Sequence, residues 1–93
     1  MERLTKQGEG NRYYLTDDQL IVRDALGYTG EAIEKLAKFE NIREQLQASQ
    51  QTISEEMAVL KDQGKTNSVK FKELMVKKLT NSNILNLFNL HEV

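Results

Sequence analysis

The chain has no cysteine, no proline and a single histidine. Without cysteine there is no disulfide to staple a small fold, no thiolate metal site and no thiol nucleophile. That lack is compatible with a reducing cytosol. Without proline, and with five glycines, few positions can stop a helix once it has begun. No run of about 18 apolar residues is present to span a bilayer, and "MERLTKQGEG" lacks the apolar core of a signal peptide. These absences lead us to expect a soluble cytoplasmic protein that does not engage a membrane. Ninety-three residues make one small domain, whose single core is marginal unless something helps it.

Charge is scarce in sum but uneven along the chain. The formal net charge is −1, yet residues 1–64 carry 12 acidic and 8 basic side chains. Residues 65–93 reverse the balance, with Lys65, Lys70, Lys72, Lys77 and Lys78 against Glu73 and Glu92. A basic segment of this kind is a candidate anion-binding face.

Residues 1–14 read as a flexible N-terminal tail and residues 15–93 as a single helical domain. Gly8 and Gly10 lie among mixed charges in the tail, and "RYYL" is open to a short strand or to folding back on the helices. In "LTDDQL", Thr16 is placed to cap a helix, with Gln19 completing a capping box and Leu15 and Leu20 spaced as a hydrophobic staple. Asp17 and Asp18 then suit the positive end of the helix dipole. This predicts a short first helix over about residues 17–26, stopping at Gly27, with "GYTG" as a turn.

A long second helix is expected from Glu31 to about Gln63. Phe39, Leu46, Ile53 and Leu60 recur every seven residues, which marks a core seam. The companion positions read Ile42, Ser49 and Glu56, so a simple parallel zipper is not expected. Gly64 suits the left-handed position after a helix, and Thr66 or Ser68 is placed to cap the next. A third helix then turns back along the second. "TNSN", four residues that bond their own backbone, is expected to break it before a last short helix "ILNLFNL". The predicted fold class is all-α: a helical hairpin with a long central helix, a short preceding helix and a broken C-terminal helix, assembled as an oligomer, a dimer being favoured.

The segment "KFKELMVKKLTNSNILNLF" carries more apolar surface than one neighbouring helix can cover. Phe71, Leu74, Met75 and Leu79 spread over an arc of the third helix well beyond the roughly 100° that a one-sided helix needs, and Leu87 and Phe88 extend it. These six are the candidate anchors for self-association or for a partner. The lysines at 65, 70, 72, 77 and 78 form the alternative candidate, a face for nucleic-acid phosphates, although no arginine stands in that segment to read a base edge. Catalysis has little to work with. His91 is the one histidine, Glu55 and Glu56 point about 100° apart on a helix, and no Gly-x-Ser-x-Gly elbow occurs. Neither a catalytic group, a metal nor a cofactor is expected.

Three stretches carry a resemblance. "MERLTK", "EAIEKLAKFENI" and "GKTNSVKFKELMVKKLTNSNILNLF" together are similar to small accessory proteins encoded in phages and prophages of Gram-positive bacteria. The likeness spans about two-thirds of the chain, and departs from many of those proteins after "KFEN", where a Gln-rich helix continues. It carries over no functional residue. It implies a setting, a phage gene acting in a bacterial cytoplasm, and a function: a non-catalytic module that binds a host protein as an inhibitor or adaptor, including defence enzymes of the CRISPR type. A small nucleic-acid-binding regulator or replication accessory is the alternative.

Overall fold

A computed structural model describes residues 2–93. Among them are four short strands, two 3-10 turns and two α-helices. The strands form two separate antiparallel hairpins, so the all-α expectation is overturned. Two compact units are distinguished, residues up to 40 and residues 41–93, with the division falling inside the longer helix.

The first hairpin pairs β1 (Thr5–Gln7) with β2 (Tyr13–Leu15), Lys6 lying opposite Tyr14. It occupies much of the segment expected to be a tail, and its second strand falls on "RYYL". Asn11, with φ of 61°, lies in the left-handed region between the strands, a conformation that asparagine tolerates better than most residues. Thr16 does not cap a helix. Its backbone N–H donates to the Leu4 carbonyl at 2.9 Å and its hydroxyl donates to the same oxygen at 3.3 Å, which closes the open end of this hairpin.

The short helix expected over 17–26 is also absent. Asp17 takes the capping role instead and accepts from the Gln19 N–H at 2.8 Å, but the turn that it starts ends at Leu20. Ile21 is already extended, and β3 (Val22–Asp24) runs into β4 (Gly27–Thr29) through a two-residue turn. The physical reason lies in the residue types. Ile21, Val22, Tyr28 and Thr29 are β-branched or aromatic and favour a pleated backbone. Asp24 accepts the Leu26 N–H at 2.8 Å, a local bond that competes with helix.

Helix α1 covers Glu31–Asp62. Gly30 precedes it with φ of 119°, and a Cβ built there would lie 2.5 Å from the Leu20 carbonyl oxygen, so this position excludes other residues on two counts. At the far end, Gly64 has φ of 68°, the Lys65 N–H donates to the Leu60 carbonyl at 2.8 Å and the Gly64 N–H to Lys61 at 3.0 Å. These are the paired bonds of a Schellman ending. Ser68 then caps α2 (Val69–Leu90), accepting from the Phe71 N–H at 3.2 Å.

Helix α2 is continuous, contrary to the break expected at "TNSN". The side chains that were expected to start a new helix are used elsewhere. Thr80 donates to the Val76 carbonyl one turn back at 3.0 Å. Asn81 donates to Ser49 Oγ at 3.2 Å, and Ser82 Oγ accepts from Gln50 at 2.9 Å. With those groups engaged, the backbone keeps its helical bonds.

Within residues 41–93 the two helices form an antiparallel hairpin along one seam. Its α1 side is Arg43, Leu46, Gln50, Ile53, Met57 and Leu60, all at least half-buried. Its α2 side steps through Phe71, Leu74, Lys78, Asn81, Leu85 and Phe88, of which Lys78 alone is exposed. Both series alternate steps of three and four residues, the spacing of a two-helix seam. The companion positions of Leu46, Ile53 and Leu60 are thus Gln50 and Met57, not Ser49 and Glu56. Among the described residues, Ile53 and Leu74 are the buried apolar side chains.

Candidate protein-binding surfaces

The seam divides the six apolar candidates. Leu74 is buried in it, and Phe71 and Phe88 are half-buried along it. Met75, Leu79 and Leu87 are exposed on the other side of α2. The first three hold the hairpin together, and the second three belong to an outward apolar face. That face continues with Val76 and Leu90, both exposed.

The five lysines are all exposed but do not line up. At 100° per residue, Lys70 and Lys77 share one side of α2, whereas Lys72 lies about 140° from Lys77 and Lys78 flanks the seam. Lys65 precedes the helix. Three of the four α2 lysines, Lys70, Lys77 and Lys78, thus fall within an arc of about 100°, and Lys72 stands apart from them.

A second candidate surface lies in the N-terminal unit. Tyr13, Tyr14 and Tyr28 are all exposed. On the first hairpin the Arg3 guanidinium lies 6.0 Å from the Tyr13 ring centre, and on the second Arg23 lies 5.8 Å from Tyr28. Both separations fall within the reach of a cation–π contact. An arginine thus lies near a tyrosine ring at each hairpin. At the tip of the second, Leu26 is 99% exposed, an apolar side chain with no local cover. The signal for this surface was in the sequence, where two β-branched or aromatic pairs flank "DALG", but the capping pattern in "LTDDQL" took precedence.

Between the first hairpin and α1 runs an open apolar cleft of about 300 Å³, lined by Leu4, Leu15, Ala32, Leu36 and Phe39 with Arg3 at its edge. Leu36 and Phe39 remain largely exposed despite it. Among the described residues, no group of three or more histidine, aspartate or glutamate side chains is placed to hold a metal ion. Among the described residues, no helix is long and apolar enough to cross a membrane.

Comparison with protein-family models, curated proteins and solved structures finds no match to this chain.

Proposed function

We propose that the chain is a non-catalytic protein-binding module, acting as an inhibitor or adaptor on a host protein in the bacterial cytoplasm. The setting comes from the resemblance to phage and prophage accessory proteins. The observation that carries the binding reading is Leu26 standing almost fully exposed at a hairpin tip beside the Arg23–Tyr28 pair. Tyrosine and arginine dominate the energetics of protein interfaces, and tyrosine supplies a large contact area at small cost in side-chain entropy. A hairpin holding both beside an uncovered leucine is suited to insert that leucine into an apolar pocket of a protein target.

The test is a pull-down of the tagged chain from a Gram-positive host lysate, with and without nuclease, run beside Leu26→Asp. A stoichiometric protein retained after nuclease by the unmodified chain, and lost with Leu26→Asp, supports the reading. Recovery of nucleic acid, with every protein band lost on nuclease treatment, replaces it with the lysine-based alternative. A protein retained equally by Leu26→Asp removes the hairpin tip from the site.

A further inference from the structure

The outward face of α2 has a symmetry of its own. Taking Asn83 as the origin, Leu79 and Leu87 stand four residues to either side, and Val76 and Leu90 seven residues to either side. At 100° per residue all four fall within about 40° of Asn83. The seam residues Leu74, Asn81 and Leu85 lie on the opposite side of the helix. The stripe is open to solvent along its whole length, with Val76 66%, Leu79 63%, Leu87 55% and Leu90 76% exposed. Lys72, on the same side, falls one turn beyond Val76 and supplies a polar rim.

We propose that this face is covered by a second copy of the chain, its α2 packed antiparallel about a two-fold axis that passes beside Asn83. The proposal rests on the reading of the chain as a binding module and assigns one of its surfaces, leaving the N-terminal hairpins for a target. In a two-fold contact, if residue i touches residue j then j touches i. Antiparallel helices crossing at Asn83 therefore bring Leu79 against Leu87 of the second copy, Val76 against its Leu90, and Asn83 against itself. The apolar pairs match in both directions, as the symmetry demands. An asparagine amide carries both donors and an acceptor, so two facing copies satisfy one another. A single asparagine within an apolar seam is also a known means of fixing register and oligomer state.

The register is testable because the chain has no cysteine, so a single introduced thiol reports on one position. Helix axes 8–10 Å apart, with Cα atoms at a radius of about 2.3 Å, place facing Cα atoms roughly 3.4–5.4 Å apart, which at the wider spacings falls within the range a disulfide spans. Under mild oxidation with copper–phenanthroline, Asn83→Cys is expected to become a covalent dimer in high yield. Lys77→Cys, about 120° around the helix, is expected to stay at least tenfold less linked. The unmodified chain should run at twice its chain mass in light scattering at tens of micromolar, and Leu79→Asp at once. A monomeric unmodified chain, or equal linking of the two thiol variants, overturns the proposal. If Asn83→Cys stays unlinked while a host protein is still captured and lost with Leu26→Asp, the two-fold fails and the binding reading stands. A linked dimer that captures nothing supports the two-fold and removes the binding reading.

Discussion

Asn81 of α2 donates from Nδ2 to the Ser49 hydroxyl of α1 at 3.2 Å, in the middle of the seam. Beside it Gln50 donates both to Ser82 Oγ at 2.9 Å and to the Lys78 carbonyl at 3.0 Å, while its own Oε1 is buried without a partner. This polar layer separates Leu46 from Ile53 along α1 and Leu74 from Leu85 along α2. A buried acceptor left unpaired costs on the order of 1–3 kcal/mol, so the layer contributes less to stability than an apolar one of the same shape. What it contributes is alignment: a helix slid by one turn would set Asn81 and Gln50 against aliphatic side chains.

Asn81→Ala is accordingly expected to destabilise the fold by about 1–3 kcal/mol, through lost packing and an unpaired Ser49. The double change Ser49→Ala, Asn81→Leu removes both partners together and is expected to be neutral or stabilising. Urea unfolding followed by far-ultraviolet circular dichroism separates the two, since the midpoint falls for the first and not for the second.

Gly30 joins the N-terminal hairpins to α1, with φ of 119° and the Leu20 carbonyl oxygen 2.5 Å from where a Cβ would lie. Gly30→Ala therefore combines a disfavoured backbone conformation with an overlap against main chain that has no rotamer to escape into. A loss of at least about 1–3 kcal/mol is expected from the backbone term. The loss should appear as faster amide exchange in residues 20–29, ahead of any change in residues 69–90. Equal effects in both regions would refute this account of the glycine.

How much of this was legible in the sequence depended on whether a signal had a competitor. The end of α1 at Gly64 is readable, and the next cap narrows to Thr66 or Ser68, because both signals act within a few residues of themselves. The seven-residue series through Leu46, Ile53 and Leu60 locates one side of the seam, but the companion positions read as Ser49 and Glu56 are one residue off, because Ser49 and Gln50 are both polar and adjacent. "LTDDQL" satisfies a helix-start pattern that Ile21 and Val22, followed by the Ala25–Leu26 turn between Asp24 and Gly27, override. "TNSN" reads as a break because such side chains bond backbone when nothing else is near. Ser49 and Gln50, 32 residues away, engage Asn81 and Ser82 instead, and no local rule sees across that distance. The candidate site suffered from the same error. Once α2 is continuous, Val76 and Leu79 share a face with Leu87 and Leu90.

The cap at Ser68 carries a prediction of its own. Its hydroxyl accepts from the Phe71 N–H at 3.2 Å and donates to the Lys65 carbonyl at 2.7 Å, so one oxygen fixes both the turn and the start of α2. Ser68→Ala is expected to cost about 1 kcal/mol, measured by thermal unfolding. Ser68→Asp should recover most of that, because a carboxylate accepts the same N–H and meets the favourable end of the helix dipole. A variant with aspartate no more stable than the one with alanine would mean that the bond to Lys65, which a carboxylate cannot donate, is the dominant one.

Continuity of α2 across residues 80–83 makes the last prediction, since the outward stripe exists only if the helix does not break. Amide hydrogen exchange reads this directly. In a continuous helix the N–H groups of residues 83–86 donate to the carbonyls of 79–82, and they should exchange as slowly as those of 73–76. In a helix that restarts at "TNSN" they would be the unpaired donors of a new first turn and would exchange within the dead time. Protection at 83–86 should also rise with protein concentration, because burial against a second copy stabilises the associated state by mass action. Leu79→Asp is expected to remove that concentration dependence while leaving the protection pattern within the helix intact, which separates the helix from the assembly built on it.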